Sequence, residues 1–193
     1  MIIFDEVIND IEENIAAYPA ERGGLLFGPS GRDVIALFVP DKTAHTSSVT
    51  YTISKEMSVK APEIERTTNL EYKGVIHSHP SSFDRPSSGD HAAAANALKL
   101  NPHMCRFFMP ILTAQHDGME IRRHELAINH SKIGGFAAIR GKGKSKVTML
   151  EIPMYSVPAY KYLQETCRRL VSDKIAKIAN VVGRARLMPR DGV

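Results

Sequence analysis

Apolar residues recur along the chain at two spacings, one typical of helices and one typical of strands. A helix is predicted over residues 5–18, where the apolar positions are three or four residues apart: Val7, Ile8, Ile11 and Ile15. A second helix is predicted in part over 54–69, with Pro62 starting or breaking it, and a third over 91–100. Short apolar runs between turn residues predict strands over residues 24–27, 34–39, 49–53, 72–76, 106–112 and 119–126. This order predicts an α/β or α+β layered domain, in which a mixed, mostly antiparallel sheet is flanked by helices.

The character of the chain changes after Asn129. Residues 135–193 contain twelve Lys or Arg and four Asp or Glu, a local charge of +8 in a chain whose net charge is +4. We therefore predict one domain over residues 1–130 and a basic C-terminal extension over 131–193. Within the extension we expect a flexible loop at 140–146, a strand at 147–152 and a helix from residue 158 onward.

The C-terminal helix carries an apolar stripe, which indicates core packing or a homodimer contact. The stripe consists of Tyr162, Leu163, Leu170, Val171, Ile175 and Ile178. Scattered Lys and Arg residues usually form a solvated face. No basic motif interleaved with aromatic residues supports nucleic-acid binding, so we do not expect a nucleic-acid partner.

Composition excludes several classes of protein. The hydrophobic fraction of 43% suits an ordinary globular core. The sequence shows neither a secretory leader pattern nor an apolar segment of roughly 20 residues, so we expect a cytoplasmic protein without a membrane partner.

The two cysteines of the chain, Cys105 and Cys167, are too few for a disulfide framework or a cysteine-based zinc site. We expect both to be reduced, buried thiols.

Two histidines lie at the end of the predicted buried strand over 72–76. His77 and His79 are two residues apart, so in an extended strand both side chains point to the same side and can hold one ion. Asp90 falls in the first turn of the predicted third helix, where an anionic group is favoured. Two imidazoles and one carboxylate make up the three protein ligands of a catalytic zinc site, which leaves its fourth position to water. The sequence therefore predicts one Zn²⁺ per chain, held by His77, His79 and Asp90.

Hydrolysis at such a site also needs a group that takes a proton from water and delivers it to the leaving amine. Glu21 is the candidate for this role, and Ser87 is the candidate donor to the oxygen that becomes negative. Each residue alone has a plainer interpretation: a core histidine, a helix cap at Ser87-x-x-Asp90, or a solvated turn charge at Glu21. Jointly, the pattern His-x-His-x7-Ser-x2-Asp is expected by chance in on the order of one in a thousand chains of this composition.

The loop over residues 80–86 joins the two parts of the predicted site and would line its mouth. It carries a second acid, Asp84, which we interpret as a loop or substrate-contacting residue because Asp90 has the better spacing and helix position. His91 could orient Asp90 or be solvated, and both interpretations stay open. The remaining histidines have no partner at a suitable spacing and are not predicted to bind metal: His45, His103, His116, His124 and His130.

These residues resemble the JAMM metalloproteases, also called JAB or MPN-plus domains, over roughly residues 1–126. The match consists of His77-x-His79-x7-Ser87-x2-Asp90, together with Glu21 in a Glu-Arg-Gly-Gly-Leu-Leu-Phe-Gly segment similar to the glutamate-bearing strand of the bacterial (Prok-JAB-like) branch. The resemblance implies zinc-dependent hydrolysis of isopeptide or peptide bonds at the C-terminus of ubiquitin or ubiquitin-like proteins. It also implies that His77, His79 and Asp90 bind zinc, that Glu21 is the general base and acid, and that Ser87 stabilises the oxyanion. No motif position departs from the family pattern, so we do not expect a metal-free scaffolding member.

We therefore expect a zinc isopeptidase or peptidase that removes a ubiquitin-like modifier or trims its precursor, with the substrate tail lying past the metal as an extended strand. The resemblance implies a bacterial ubiquitin-like conjugation pathway, with its conjugation enzymes as further partners and antiphage defence as one role.

Three alternatives stay open. The first is a zinc amidase acting on a small amide or a sulfur-carrier adduct. The second is an iron oxygenase, because two histidines and a carboxylate also bind iron. The third is a non-catalytic basic interaction module. The chain lacks the Pro-Cys-x-x-Cys of nucleobase deaminases and the His-Glu-x-x-His of zincins, so those zinc classes fit worse.

Overall fold

The computed structural model describes residues 1–16, 21–47, 50–80, 83–114, 120–129, 131–141 and 147–186. The helices of these residues are α1 (Asp5–Ile11), continued by a π-helical turn (Glu12–Ala16), α2 (Lys55–Thr68), α3 (Ser88–Leu100) and α4 (Ala159–Arg186). The strands are β1 (Ile2–Phe4), β2 (Gly23–Gly28), β3 (Val34–Ile35), β4 (Leu37–Pro40), β5 (His45–Ser47), β6 (Thr50–Thr52), β7 (Glu71–Ser78), β8 (Arg106–Phe108), β9 (Ile111–Ala114), β10 (Glu125–Ile128), β11 (Ser131–Gly134), β12 (Phe136–Arg140), β13 (Val147–Glu151) and β14 (Tyr155–Val157).

Strand β7 lies at the centre of a mixed sheet of nine described strands. On one side it pairs antiparallel with β2, which in turn pairs antiparallel with β4. On the other side it pairs parallel with β8 and, further along, with β9, where His77 is opposite Ile111. The sheet continues antiparallel from β8 to β12 and β13, and from β9 to β11 and β10. Two small sheets complete the described part, β14-β1-β3 and the hairpin β5-β6.

A hydrophobic core lies between the central sheet and helices α2 and α3. Leu25 of β2 lies opposite Val75 of β7, and both belong to a buried cluster with Leu98 of α3. Successive residues of a strand point to opposite faces. Leu26 and Ile76 alternate with them and are also fully buried. The sheet is therefore covered on both faces, and its strands form near-continuous apolar runs in the sequence. The predicted layered domain with a mixed, mostly antiparallel sheet is confirmed.

Several predicted elements differ from the structure. The strand predicted over 34–39 is two strands, β3 and β4, which belong to different sheets. The described residues of the strand predicted over 119–126 are extended only from Glu125, where β10 begins. Helix α2 runs through Pro62 without a break, since it is held at one end by the side-chain cap of Ser54 and at the other by Asn69 in the left-handed region. One missing N–H donor does not end a helix that is anchored at both ends. The predicted strand over 106–112 is two strands, β8 and β9, because Pro110 has no N–H to offer a ladder.

The compact unit extends past the predicted domain boundary at residue 130. Met1–Ser156 form one compact unit and Val157–Val193 form a second. Strands β11, β12 and β13 all follow residue 130 and belong to the central sheet. Residues 142–146 of the predicted basic loop lie outside the described residues.

Helix α4 carries the predicted apolar stripe, of which Leu163, Leu170 and Val171 are each more than half exposed. The side chains at 175 and 178 lie outside the described residues. Both cysteines are exposed, so the expectation of buried thiols is wrong: Cys105 lies in the turn before β8 and Cys167 lies on α4. In the part of the chain that the structure describes, no helix is both long and apolar enough to cross a membrane.

Candidate metal centre

The end of β7 brings the predicted metal ligands together. The two Nε2 atoms of His77 and His79 are 2.8 Å apart. Oδ1 of Asp90 is 3.1 Å from Nε2 of His77, and Oδ2 is 3.3 Å from Nε2 of His79. The three ligand atoms all lie within 4.8 Å of one another, a group that could hold a metal ion.

Backbone hydrogen bonds hold the end of β7 on both sides. The N–H of His79 donates to the carbonyl of Leu112 on β9 at 2.8 Å. The N–H of Ser78 donates to the carbonyl of Arg22 at 2.8 Å, and the N–H of Arg22 donates to Oγ of Ser78 at 2.9 Å. These bonds place Glu21, the residue before Arg22, at the same edge of the sheet as the histidines.

Asp90 belongs to a capping box at the start of α3. Its backbone N–H donates to Oγ of Ser87 at 3.2 Å, and its Oδ2 accepts the backbone N–H of Ser87 at 2.6 Å. The hydroxyl group of Ser87 also makes a side-chain hydrogen bond with the carboxylate of Asp90. Burial works to raise the pKa of Asp90, but hydrogen bonds from His77 and His79 outweigh it and hold that pKa well below its ordinary value. The carboxylate therefore stays ionised.

The orientation of His79 is set by a carbonyl. Nδ1 of His79 is 3.2 Å from the carbonyl oxygen of Phe83, which can only accept, so Nδ1 carries a proton and Nε2 is the nitrogen left to bind an ion. The Phe83 ring also stacks on that of His79, with centroids 5.3 Å apart. On the other ligand, the Tyr51 ring stacks on that of His77 at 5.8 Å. Nδ1 of His77 is buried without a hydrogen-bond partner among the described residues.

The donor set fits a zinc ion. The two Nε2 atoms and the ionised carboxylate of Asp90 face one another, so a cation held between them would replace the protons of their mutual hydrogen bonds. Imidazole nitrogen and carboxylate oxygen are ligands that zinc accepts in tetrahedral sites.

Glu21 is a buried acid beside this group, with 6% of its surface exposed. Burial raises the pKa of its carboxyl above the ordinary value; His79 and His77 oppose this rise and Asp90 adds to it. Glu21, His79, Ser87 and Asp90 line one cleft of about 690 Å³. All five predicted site residues thus meet at one place: four line this cleft, and His77 lines an adjoining cavity together with Asp90.

Gly23 lets the strands close around the site. A Cβ at this position would overlap the carbonyl oxygen of Ile76 and lie 2.8 Å from Cζ of Tyr51 and 3.0 Å from Cβ of His77. Only glycine leaves room for the tyrosine to stack on the histidine.

The second acid of the loop, Asp84, does not face the ligands. Its Oδ2 lies 3.1 Å from Nη2 of Arg122 and 3.2 Å from Nζ of Lys132. Lys132 is 2% exposed and was not predicted as a functional residue, because Lys is almost never buried and nothing in the sequence marks this one. The side chain of His91 is exposed, which favours the solvated interpretation.

The other histidines join no candidate metal group among the described residues. His124 pairs with Glu151, with Nδ1 3.4 Å from Oε2. Residues 81–82 of the loop, His116 and His130 lie outside the described residues.

A comparison with protein families establishes the relationship. The family described as prokaryotic homologs of the JAB domain matches residues 9–125. The chain belongs to this family. The predicted resemblance to JAB domains is thereby confirmed.

Among solved structures, this JAB-domain chain is similar to the solution structure of protein DSY2949 from Desulfitobacterium hafniense. The TM-score is 0.56 at 18% identity, over 83% of this chain and 97% of that chain. At this identity the likeness shows the fold alone. No curated protein matches the sequence. Membership of the JAB-domain family, together with the His-His-Asp group, supports metal-dependent hydrolysis as the chemistry of the site.

Proposed function

We propose that this JAB-domain chain is a zinc-dependent isopeptidase or peptidase that hydrolyses the bond after the C-terminus of a ubiquitin-like modifier. The observation that carries the proposal is the convergence of His77, His79 and Asp90 beside the buried acid Glu21. The proposed setting is the bacterial cytoplasm, in a ubiquitin-like conjugation pathway that serves antiphage defence among its uses. The conjugation enzymes of that pathway are further partners.

His77 and His79 would hold the zinc ion through Nε2, and Asp90 would hold it through its carboxylate. When bound there, zinc polarises a substrate carbonyl and lowers the pKa of water. The protein supplies the orientation, since Phe83 sets the ring of His79 and the capping box sets the carboxylate of Asp90.

Glu21 moves the proton. A raised pKa suits an acid that must first accept a proton from the attacking water and then deliver it to the leaving amine. Ser87 would donate its hydroxyl hydrogen to the oxygen that becomes negative during attack. Because Oγ already accepts the N–H of Asp90, the hydroxyl is held in place for this donation.

The surroundings of the site favour a long substrate over a small amide. A second cavity of about 500 Å³, lined by His77, shares Tyr51, Thr52, Asp90 and Ala93 with the cleft. It continues between α2 and α3 over an apolar floor that includes Val75. Strand β6 pairs only with β5 among the described strands, so its other edge can accept an extended peptide as an added strand. A modifier tail several residues long fits this continuous path.

The test combines metal analysis with cleavage. Wild type, Glu21→Gln, His77→Ala and the matched control His91→Ala are purified and their zinc content is measured. Each is incubated with candidate ubiquitin-like proteins fused through their C-termini to a second protein. We expect one zinc per chain in all but His77→Ala. We expect cleavage after the modifier's last residue by wild type and His91→Ala only.

Other outcomes would redirect the proposal. Zinc binding with hydrolysis of small amides but of no fusion would replace the isopeptidase with an amidase. Iron in place of zinc, with activity that depends on oxygen, would indicate an oxygenase. Equal behaviour of Glu21→Gln and wild type in every assay would refute a catalytic role for the site.

A further inference from the structure

A buried lysine lies outside the residues that the proposed reaction uses. Lys132, on β11, is 2% exposed, and its Nζ lies 2.6 Å from Oε1 of Glu125. The same Nζ lies 3.2 Å from Oδ2 of Asp84. Glu125 is also held by the backbone N–H of Arg122, which donates to Oε2 at 2.8 Å. The lysine thus joins the edge of the sheet to the loop between the metal ligands.

The loop residue that Lys132 holds is next to the one that orients a ligand. Asp84 directly follows Phe83, whose carbonyl oxygen accepts Nδ1–H of His79 and whose ring stacks on the imidazole. Phe83 is itself 46% exposed, and its N–H donates to the carbonyl of Pro80 at 2.9 Å. Because Phe83 is half exposed, the ion pairs of its neighbour Asp84 are the described charged contacts closest in sequence to that carbonyl.

The other end of the loop is anchored to the same part of the sheet. Strand β11 pairs with β9, and Leu112 of β9 accepts the backbone N–H of His79. Lys132 therefore sets the loop relative to the strand that already holds the backbone of the ligand. Buried ion pairs seldom stabilise a fold more than well-packed apolar side chains would, so stability alone does not account for a lysine here.

We propose that Lys132 is a positioning residue for the metal centre, acting through Asp84 to hold the carbonyl of Phe83 against His79. The inference rests on the proposed function in so far as it takes the His-His-Asp group to bind zinc. Groups that orient a metal-binding histidine typically change metal affinity 10–100-fold when they are removed.

The experiment measures zinc affinity by competition with a chelator, so that it does not depend on cleavage. The variant is Asp84→Ala, which frees the loop but leaves Lys132 paired with Glu125. The matched control is Asp33→Ala, which also removes an aspartate paired with an arginine, Arg106. We expect zinc affinity to fall by about 10-fold or more in Asp84→Ala and to stay unchanged in Asp33→Ala. With a cleavable fusion, kcat should fall while KM changes little.

Further variants separate positioning from folding. The double variant Lys132→Met with Glu125→Gln removes the bond from Lys132 to Asp84 without leaving the carboxylate of residue 125 unpaired, and it leaves Arg122 paired with Asp84. Asp84→Asn keeps the shape of the side chain. Both should shift zinc affinity in the same direction as Asp84→Ala and alter the visible spectrum of the cobalt-substituted protein. Urea unfolding of each metal-free variant, followed by circular dichroism, shows whether the variant still has a cooperative folded state.

Wild-type zinc affinity and an unchanged cobalt spectrum in Asp84→Ala and the double variant would overturn the positioning role. Wild-type protein that binds zinc but cleaves no fusion would refute only the proposed function. A wild-type protein that binds no zinc would refute both.

Discussion

The buried pair of Lys132 and Glu125 allows a quantitative prediction. The two side chains are 2% and 1% exposed, and Nζ lies 2.6 Å from Oε1. At an effective dielectric constant of about 20, charges at this separation attract by about 6 kcal/mol, most of which offsets the cost of removing both from water. Lys132→Met leaves the carboxylate buried without its cation, so we expect the free energy of unfolding to fall by about 3–5 kcal/mol. For a chain of this size that corresponds to a melting temperature lower by roughly 6–20 °C.

The assay is urea unfolding of the metal-free protein at pH 7, followed by circular dichroism. Adding Glu125→Gln to Lys132→Met should restore most of the loss, because no buried charge then remains. A loss below about 1 kcal/mol, outside the range expected for a broken buried pair, or no recovery in the double variant, would refute the reasoning.

The sign of the pH dependence follows from the pKa of Glu125. Burial works to raise that pKa, but the bonds from Lys132 and from the backbone of Arg122 outweigh it and hold it below its ordinary value. The folded pKa is thus lower than the unfolded value of about 4.3. The pair therefore makes its full contribution to the free energy of unfolding above about pH 4.3. That contribution is lost as the pH falls through the pKa of Glu125 in the folded protein. In Lys132→Met the unpaired carboxyl takes up a proton more readily, so the penalty should be smaller at pH 4 than at pH 7.

Three further predictions concern the site. Ser87→Ala should lower the free energy of unfolding by about 1 kcal/mol through loss of the helix cap, which chemical unfolding measures. It should also slow cleavage by about 10²–10³-fold with zinc content unchanged, which steady-state kinetics and metal analysis measure. Gly23→Ala should lower zinc occupancy and melting temperature together, because its Cβ would displace Tyr51 and His77; normal zinc content in a fully stable variant would contradict this. Cleavage should rise with pH through the raised pKa of Glu21, since only the ionised carboxylate accepts a proton; a pH-rate profile without that acidic limb would argue against Glu21 as the base.

The candidate site could be predicted from sequence because its spacing is set by local geometry. His77 and His79 share a side of β7 by strand alternation, and Ser87 and Asp90 share a helix start by capping geometry. Both rules act within a few residues. For the long-range partner Glu21 no such local rule applies, because nothing local relates residue 21 to residue 77, and the family resemblance supplied its pairing with the ligands.

The parts that sequence reasoning missed depend on contacts between distant segments. Lysine is usually a surface residue, but Lys132 is buried, and one of its partners is Asp84, 48 positions earlier in the chain. Strands β11 and β12 follow the point at which the chain becomes basic, so composition assigned them to an extension while pairing places them in the central sheet. Pro62 lies inside α2 because the ends of that helix are secured by Ser54 and Asn69.

The capping box at the start of α3 has a consequence for the energetics of ion capture. Asp90 is aimed by Ser87 before any ion arrives, so its carboxylate is preorganised by the folding of the helix. The ordering entropy that a loose side chain would lose on binding, about 0.5–1.5 kcal/mol, has already been lost during folding. Reciprocally, an ion that binds only the folded chain stabilises it, by about 4 kcal/mol at a thousand times its dissociation constant. Ion binding and folding of the first turn of α3 are therefore thermodynamically linked. The folded turn strengthens ion binding, and the bound ion stabilises the turn.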